Sequence, residues 1–540
     1  MKKAESKKIL IGLSWPYANG RMHIGHVASS LPADALARYH RLVGNDVAFI
    51  SGSDCYGTPI LVAARAEGVT PLELSDKYHA LLKKDFDSLG FTFDNYTKTT
   101  NTHHNEFVRN FHADMYKGGH VYQKSAAQLY CATCVKHLPD RYVEGICPFC
   151  EKQSKGDSCD NCGKIIEAEE LKEPKCKLCA STPTPRNTRQ LYLALSALEG
   201  EIQNHYDRAR DGWANNALGL TGRYLREGLR DRAITRNIEW GVLLPQDAKA
   251  TFGFEPQELN EKRIYIWAEN VLGYFSACSE FCDKTGRNWE DFLLADNSPC
   301  HIYVHAKDNI PFHSIILPGL LLADRSRNWK LPDIIASSEY VQVGGAKLAK
   351  SVGNLITAEE MGAKFDVDMI RYYFLRKLSD KKDVAFTWED FTTIVNSELV
   401  NGFGNLVNRS LSFINKNFQG VLNKVKAATP LLKELEKQES EYNKLMNSAK
   451  VKEALAVVYG LVELGNKHFD SVAPWKSIKT DKTMCMAHMY EFAVYIKGVA
   501  KLLEPFIPFA SLRVKDWITL QADGVNVSPN ISILFKRIEQ

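Results

Sequence analysis

Two histidines near the start of the chain, His23 and His26, are spaced for joint action on one ligand. Positions three apart at the start of a helix lie on the same face, and Gly25 between them would let a ligand lie against bare backbone. Two imidazole N–H donors beside a helix amino terminus suit a phosphate whose charge grows during a reaction. The spacing therefore favours phosphate chemistry, although an isolated pair of this kind is also typical of surface histidines or a stray metal site.

The residues around this pair predict a strand, a loop, a helix and a second strand. Residues 9–13 and 47–50 are apolar runs, residues 16–20 contain proline, asparagine and glycine, and residues 22–42 are compatible with a long helix. Two parallel strands joined by a crossover helix form their ligand crevice at the carboxyl end of the first strand. The loop from Trp15 to His26 lies there, so we expect it to carry the functional site.

A cysteine-rich block between positions 131 and 179 is a second candidate site, and it has the character of an insertion. Each C-x-x-C turn can direct two thiolates at one metal, and two turns complete a tetrahedral zinc site with no open position. Because only eight residues separate Cys150 from Cys159, we expect the inner pairs to share one zinc and the outer pairs to share another. A redox dithiol or an iron–sulfur site is the alternative. The pairs are Cys131/Cys134, Cys147/Cys150, Cys159/Cys162 and Cys176/Cys179.

A glycine-flanked loop at residues 344–354 carries Lys347, Lys350 and Ser351. Such a loop can close over a triphosphate and place the lysine charges against phosphoryl oxygens. Taken alone, the stretch is also typical of a solvated turn. Its interpretation as a phosphate loop therefore depends on the other motifs.

Length and composition limit the class of protein. A chain of 540 residues should hold about two to four domains, and a net charge of +4 is too small to argue for nucleic acid. No apolar run approaches the ~20 residues of a membrane span, and the opening MKKAESKK lacks the apolar stretch of a secretory signal. We expect a cytoplasmic protein with no membrane partner, in which cysteines serve as metal ligands or buried thiols rather than disulfides.

The rest of the chain alternates between helical and mixed patterns. Residues 58–118 have a helical pattern, within which residues 94–105, rich in Thr, Asn and His, predict a connection. The cysteine-rich block has a Lys, Glu and Gly background that offers too few apolar residues for a core of its own. From about residue 387 helical periodicity predicts a bundle. Its clearest segments are Val400–Phe418, Ser448–Phe469 and Thr483–Leu503.

The stretch P-Y-A-N-G-R-M-H-I-G-H resembles the HIGH signature of class I aminoacyl-tRNA synthetases, and its P-Y-A-N-G lead-in is most similar to the methionyl-tRNA synthetase family. The cysteine turns, the lysine loop and the helical region follow in that family's order. The resemblance implies an α/β fold: a doubly wound parallel-sheet (Rossmann-like) catalytic domain with an inserted zinc-knuckle connective peptide, followed by an α-helical bundle. The implied divisions are 1–117 and 233–343 for the catalytic domain, 118–232 for the connective peptide with its knuckles at 131–179, 344–386 for a KMSKS-type loop and stem-contact region, and 387–540 for a helical anticodon-binding domain.

The resemblance also implies which residues form the sites. Asp54 would bind the α-ammonium of methionine and Arg236 would help position Asp54, while an aromatic pocket suits a polarisable thioether. The implied catalytic residues are His23, His26, Lys347 and Lys350, which would bind ATP together with Asn19, Gly25, Asp308 and Ser351. The implied methionine-binding residues are Trp15, Tyr17, Asp54, Arg236, Trp267, Tyr274 and His313. The implied anticodon-reading residues are Asn405, Arg409 and Trp475.

The activity implied by the resemblance is that of a methionine–tRNA ligase. Its partners would be ATP, L-methionine and tRNA(Met), with Mg2+ accompanying ATP and one or two structural Zn2+ ions held by the cysteines. Nothing resembling the extra carboxyl-terminal dimerising module of some members follows the helical region, so we expect a monomer.

Departures from the family pattern, including Ser53 where some members have a second acid, and several rival functions bear on this interpretation. The loop reads K-L-A-K-S, with Leu348 and Ala349 in place of Met and Ser, and W-A-E-N places Glu269 and Asn270 where many members have W-x-D-A. We expect altered contacts rather than lost activity. A synthetase for leucine, isoleucine or valine would need a large editing insertion, for which residues 118–183 are too few, and a cysteinyl enzyme would need an open zinc position. A catalytically silent RNA-binding protein and a zinc-scaffold interaction protein are rivals from a different class, and neither would need the histidines and lysines of a phosphate crevice.

Overall fold

The computed structural model describes residues 6–139, 142–156, 159, 161–343, 346–347, 355–424 and 430–539. The chain forms two compact units, and each is described by itself. The first unit contains residues 1–22, 45–87 and 93–338, and the second contains residues 23–44, 88–92 and 339–540. Lys350 and Ser351 of the predicted phosphate loop, and the side chain of Lys347, lie outside the described residues.

The first unit is built on a five-stranded sheet in which every pairing is parallel. Its central strand is Lys8–Leu13, where Ile11 lies opposite Phe49 on one side and Ile302 on the other. Apolar residues bury both faces of this strand, as a parallel sheet covered by helices requires. The strand order confirms the predicted doubly wound parallel sheet. Across the sheet the strands are Ile334–Ser338, Cys300–Ala306, Lys8–Leu13, Asp46–Ser53 and Asn95–Lys98.

Helices of differing length surround this sheet. The longer helices bury apolar side chains in one core, which includes Leu10 and Ile50 of the sheet and extends to Trp329. A five-residue π-helix, Phe312–Ile316, leads into Leu317–Ala323. The α-helices of the first unit are Thr58–Glu67, Pro71–Ser88, Thr102–Lys117, Leu195–Ala209, Asn215–Glu227, Asp247–Phe252, Pro256–Glu261, Ile266–Glu269, Gly273–Thr285, Glu290–Leu293 and Leu317–Ala323.

The prediction of a connection at residues 94–105 is wrong, because Asn95–Lys98 forms the edge strand of the sheet. The amide of Asn95 donates to the carbonyl of Ala277 at 2.9 Å and to the carboxylate of Glu280 at 2.9 Å. Asparagine is depleted in strands and the segment is only four residues long, although its tyrosine and threonine favour a strand. The contacts with a helix about 180 residues away hold the segment in place.

The cysteine-rich block extends from a long antiparallel ribbon, Val121–Cys131 with Thr184–Leu193. Lys136–His137 and Arg232–Ala233 complete that sheet, and Val143–Ile146, Gln153–Lys155 and Lys172–Cys176 form a smaller one. The block does not form a core from its own residues alone, because Leu61 of the helix Thr58–Glu67 belongs to the same group of buried apolar residues. A small cluster forms because buried cysteines supply part of its apolar surface, as small hydrophobic side chains do. It contains Leu129, Leu138, Tyr142, Val143, Ile166, Leu171 and four of the cysteines.

The second unit is mainly helical and contains the helix Ile24–Leu42, called the signature helix below. Two small sheets accompany the helices, Ala346–Lys347 with Val341–Val343 and Val384–Phe386, and Val421–Asn423 with Gly524–Val527 and Ile518–Leu520. The predicted helical bundle is confirmed. The helices of this unit that follow the signature helix are Ala358–Lys364, Val367–Lys377, Trp388–Ile394, the π-helix Val395–Gly404, Asn405–Phe418, Pro430–Asn447, Val451–Val472, Pro474–Thr480, Lys482–Leu503 and Pro508–Trp517.

Among the residues that the structure describes, no helix combines the length and the hydropathy that crossing a membrane requires.

Candidate active site

The two histidines of the signature motif lie at the first turn of the signature helix, in the second unit. His23 is the N-cap, and its Nδ1 accepts a hydrogen bond from the backbone N–H of Gly25 at 3.1 Å. The Nδ1 of His26 in turn accepts from the backbone N–H of His23 at 3.4 Å. The two rings stack with centroids 3.8 Å apart. This reciprocal cap satisfies two helix donors and fixes both rings at the helix start.

The capping bonds determine where these imidazoles carry their hydrogens. Because Nδ1 of each ring accepts a hydrogen bond, a neutral ring carries its hydrogen on Nε2. Burial lowers the pKa of His26 to about 4, so this ring is uncharged at neutral pH. Each ring can therefore offer an Nε2–H donor. Two such donors at a helix amino terminus can stabilise a phosphate.

The start of the signature helix is also joined to the segment that follows the lysine loop. Ile24 donates its backbone N–H to the carbonyl of Ile356 at 3.0 Å, and His23 forms an isolated bridge with Thr357. Thr357 begins the helix Ala358–Lys364 through a capping box with Glu360. The chain that leaves the loop is thus fixed beside the histidines.

The loop that precedes the signature helix is held by a buried carboxylate that sequence reasoning missed. Arg21 donates through Nε and Nη2 to Asp85 at 3.1 and 2.6 Å, and the backbone N–H of Met22 donates to Asp85 at 3.3 Å. Asp85 is 2% exposed. No local pattern marks this residue, because it lies more than 60 positions further along the chain.

The first unit contains the residues that the resemblance assigns to methionine. Trp15 is buried against Tyr274 with ring centroids 6.4 Å apart. Its indole occupies the space that side chains at Gly52 and Gly273 would fill, because a Cβ at either position would lie 2.9 Å or less from the ring. The two glycines therefore leave room for the indole of Trp15 beside Tyr274.

Asp54 follows the strand Asp46–Ser53 and is 4% exposed. Its backbone exchanges hydrogen bonds with the loop after the first strand, since Asp54 N–H donates to Pro16 at 2.9 Å and Ala18 N–H donates to Asp54 at 2.8 Å. One carboxylate oxygen accepts from the backbone N–H of Tyr56 at 3.2 Å. The carboxylate is therefore held rigidly where the first two parallel strands end.

Tyr274 and His313 form a fixed neutral pair. His313 is hydrogen-bonded through Nδ1 to the carbonyl of Asn309 at 2.9 Å, so its Nε2 accepts from the hydroxyl of Tyr274 at 2.8 Å. Burial lowers the pKa of His313 to about 4, and the ring of His305 stacks on it at 4.3 Å. These side chains therefore present uncharged surface at neutral pH, as an apolar thioether requires.

The remaining predicted ligand-binding residues of the first unit occupy loops and short turns. Trp267 is half-buried and packs edge-on against Phe312, with centroids 4.7 Å apart. Tyr17 and Asn19 are half-buried in the loop after the first strand, and Asp308 is exposed in the turn that follows Cys300–Ala306. Neighbouring strands of the parallel sheet thus deliver Tyr17, Asn19 and Asp308 from their carboxyl ends, whereas Trp267 lies in the short helix Ile266–Glu269.

Arg236 makes a contact that the sequence did not predict. Its Nη2 donates to Glu167 at 2.9 Å, Nη1 donates to the carbonyl of Thr235 at 3.1 Å, and the guanidinium lies 4.1 Å from the centroid of Tyr265. Glu167 lies between the third and fourth C-x-x-C turns, so the cysteine-rich block contacts this arginine directly. The role predicted for Arg236 toward Asp54 stays a prediction.

Glu269, at one of the family departures, is buried beside His104. The Nε2 of His104 is 2.5 Å from Glu269, and its Nδ1 is 2.8 Å from the hydroxyl of Ser276. Burial lowers the pKa of His104 to about 3 and raises the pKa of Glu269 well above its usual range. The pair is therefore neutral, with the carboxylic acid donating to Nε2 and Nδ1–H donating to Ser276. Glu269 thus contributes to the interior of the unit.

The eight predicted cysteine ligands form two groups of four, paired as the spacing predicted. Tetrahedral zinc with Zn–S bonds of ~2.3 Å places sulfurs ~3.8 Å apart. Four measured sulfur–sulfur distances fall close to that value, and all eight cysteines are free thiols, so both groups fit zinc. The distances are 3.4 Å for Cys131–Cys179, 3.9 Å for Cys134–Cys176, 3.9 Å for Cys147–Cys162 and 3.5 Å for Cys150–Cys159.

The residues assigned to the anticodon lie on neighbouring helices of the second unit. Arg409 donates to Asp470 at 2.5 Å and lies 4.6 Å from the centroid of Phe469. Trp475 is 45% exposed and lies 6.3 Å from the same ring. Asn405 donates to Asn466 at 3.4 Å, one turn before Arg409. An exposed indole beside an oriented arginine can stack on and bind an unpaired base.

Comparisons with known proteins agree with these motifs. The family model described as tRNA synthetases class I (M) matches residues 9–411, and the model for the anticodon-binding domain of methionyl tRNA ligase matches residues 422–532. The chain is 41% identical to methionine–tRNA ligase 2 of Bacillus cereus and 38% identical to methionine–tRNA ligase 1 of Alkaliphilus oremlandii. Both alignments cover 98% of this chain and 97% of the relative.

A solved structure shows the same fold. Methionyl-tRNA synthetase of Mycobacterium tuberculosis, in complex with methionyl-adenylate, superposes with a TM-score of 0.81 at 21% identity, covering 98% of this chain and all of that one. The match spans the parallel sheet, the cysteine-rich block and the helical region. The two family models and the relatives show that the chain belongs to the methionyl-tRNA synthetase family of class I aminoacyl-tRNA synthetases.

Proposed function

We propose that this protein activates L-methionine with ATP and transfers it to tRNA(Met). In the first step a methionine carboxylate oxygen attacks the α-phosphorus of ATP, a new O–P bond forms, and the bond to pyrophosphate breaks. In the second step the terminal ribose hydroxyl of the tRNA attacks the methionyl carbonyl and AMP leaves. Family membership along the whole chain carries this proposal.

In the first step, the protein's contribution is positioning and charge stabilisation. The Nε2–H groups of His23 and His26 would donate to phosphate oxygens, as their capping bonds orient them. Lys347 and Lys350 would neutralise the triphosphate, with Asn19, Gly25, Asp308 and Ser351 completing the ATP site. Mg2+ bound with ATP supplies further charge neutralisation. No side chain needs to form a covalent intermediate.

Methionine would occupy the pocket lined by aromatic residues in the first unit. The carboxylate of Asp54 would accept a charge-assisted hydrogen bond from the α-ammonium. Trp15, Tyr17, Trp267, Tyr274 and His313 would enclose the side chain, and the neutral Tyr274–His313 pair keeps charge away from the thioether. Arg236 would assist Asp54.

The tRNA would be identified by its anticodon through Asn405, Arg409 and Trp475. Hydrogen bonds from asparagine and arginine can reach base edges, while the exposed indole of Trp475 can stack on a base. Asp470 fixes the arginine before the base arrives, which reduces the entropy lost on binding.

The two cysteine groups would hold two structural zinc ions. We expect the purified wild type to contain two zinc ions per chain, and Cys147→Ser and Cys176→Ser each to contain about one, because each change removes one thiolate from a saturated site. Elemental analysis of the dialysed proteins measures this. Cys485→Ser is the matched control, since Cys485 is buried but lies outside both groups and should leave two ions in place. Two ions in either ligand variant would contradict the assignment.

The test of the function is ATP–pyrophosphate exchange with each of the twenty amino acids, in Mg2+ and without tRNA. Exchange with methionine alone is the expected result, followed by methionylation of tRNA(Met). Exchange with a different amino acid would replace the proposed substrate. Binding of tRNA without any exchange would favour a catalytically silent RNA-binding protein.

A further inference from the structure

Arg371 is the largest fully buried side chain among the described residues, and every donor bond it makes reaches another element of the second unit. Its Nη2 donates to Asp34 at 2.6 Å and to the carbonyl of Pro505 at 3.1 Å. Nε donates to the carbonyl of Phe506 at 3.0 Å, and Nη1 donates to the carbonyl of Leu89 at 3.1 Å. A planar guanidinium with rigidly directed donors fixes geometry in a way that a flexible ammonium does not.

Asp34, the partner of Arg371, lies on the signature helix eleven residues after His23. It is 0% exposed and accepts four hydrogen bonds. The donors are Arg371, Arg38 at 2.7 Å, and the backbone N–H and hydroxyl of Thr92 at 2.8 and 2.7 Å. A carboxylate with four donors has one well-defined orientation.

This cluster connects the signature helix to the carboxyl-terminal helices. Arg371 belongs to the helix Val367–Lys377, while Pro505 and Phe506 form the corner between Lys482–Leu503 and Pro508–Trp517. The same helix also carries Asp368, which accepts from the backbone N–H of Ala510 and so caps Pro508–Trp517. Arg371 therefore contacts the signature helix, whereas the hydrogen bonds of Asp368 lead to a different helix.

A buried ion pair is a poor source of net stability, because desolvation offsets much of the attraction. Its directional bonds instead select one arrangement of the elements it joins. Although Pro32 removes one backbone hydrogen bond, the signature helix is continuous from Ile24 to Leu42. A rotation at Asp34 therefore displaces His23 about 16 Å away. A displacement of about 1 Å at reacting groups can reduce a rate roughly a hundredfold.

We propose that Arg371 and Asp34 are positioning residues for the first reaction step: they fix the signature helix so that the two Nε2–H donors meet the phosphate. This inference rests on the proposed function. It assigns no contact with substrate to either residue. It also explains why the carboxyl-terminal corner at Pro505 and Phe506 forms part of the hydrogen-bond network around the signature helix.

Kinetics of conservative variants test this proposal. Asp34→Asn and Arg371→Lys should each lower kcat for methionine-dependent pyrophosphate exchange at least tenfold, with the KM for methionine unchanged within twofold. Asp368→Asn is the matched control: it alters a buried carboxylate on the same helix, and should leave kcat within twofold at a comparable loss of Tm. Kinetic constants and Tm are measured for all three and the wild type.

Hydrogen exchange supplies a readout that does not depend on activity. Asp34→Asn should increase amide exchange along Ile24–Leu42 and leave Pro508–Trp517 unchanged, whereas Asp368→Asn should do the reverse. The inference is overturned if Asp34→Asn and Arg371→Lys keep the wild-type kcat. It is also overturned if, at equal Tm, their kcat falls no further than that of Asp368→Asn. If either variant does not fold, Thr92→Val is used instead, because it removes one donor to Asp34. This variant should lower kcat about threefold, and an unchanged kcat would overturn the inference. If the wild type shows no methionine-dependent pyrophosphate exchange, the proposed function itself is refuted.

Discussion

Replacing His23 by asparagine should lower the rate of methionine-dependent pyrophosphate exchange by about 10²- to 10³-fold, the usual effect of removing one preorganised donor. Asparagine is among the best N-cap residues, so His23→Asn keeps a side-chain acceptor for the backbone N–H of Gly25. The helix start should therefore survive while the Nε2–H donor is lost. Exchange kinetics at saturating ATP and methionine measure the effect, and thermal unfolding should show a Tm within about 2 °C of the wild type.

Two companion variants separate chemistry from helix capping. His26→Gln keeps an acceptor near the backbone N–H of His23 and should reduce the rate to a similar extent. His23→Ala removes the cap as well as the donor, so it should match His23→Asn in rate but lose about 1 kcal/mol of stability. If His23→Asn exchanges at the wild-type rate while His23→Ala does not, the histidine acts only as a cap.

The capping role of the histidines shows what local sequence can and cannot predict. The strand, loop and helix around residues 8–42 follow from apolar runs and breakers, and the grouping of the cysteines follows from their spacing. The reciprocal bonds of His23 and His26 do not, because histidine is not among the residues that N-cap patterns favour. The ring tautomers depend on those bonds, so the chemistry of the pair emerges only from the structure.

Residues far apart in the chain account for what the sequence did not reveal. Asp34 and Arg371 are separated by 337 positions, and the pattern around each is an ordinary helical one. Arg236 and Glu167 are separated by 69 positions, with the fourth C-x-x-C turn between them. His104 and Glu269 are separated by 165 positions. A charged residue in an amphipathic pattern is normally solvent-exposed, so only tertiary packing identifies these as buried partners.

The family resemblance, rather than periodicity, assigned the aromatic pocket. Trp15 and Tyr274 are single apolar residues in patterns that also suit an ordinary core. The structure adds that Gly52 and Gly273 leave room for the indole, and that Tyr274 donates to a neutral His313. A sequence shows a glycine but not the ring that occupies its missing side-chain volume.

Asp54→Asn should weaken methionine binding roughly 30- to 1000-fold, or about 2 to 4 kcal/mol, because it removes the charge from the buried carboxylate that we propose binds the α-ammonium. The carbonyl oxygen of the introduced amide can still accept the backbone N–H of Tyr56, so the turn that holds position 54 should persist. Titration of intrinsic tryptophan fluorescence with methionine gives the Kd, and Trp15 and Trp267 lie among the residues proposed to line the pocket.

A methionine analogue that lacks the amino group makes this test specific. Wild type should bind the desamino analogue much more weakly than methionine, whereas Asp54→Asn should bind the two with similar affinity, because the interaction that distinguishes them is already absent. The four affinities of the two proteins for the two ligands form a thermodynamic cycle. This cycle separates the contact between ammonium and carboxylate from any general disturbance of the pocket. If the variant still prefers methionine by the wild-type factor, the ammonium is bound by a different group, and Asp54 serves only to hold the loop at Pro16 and Ala18.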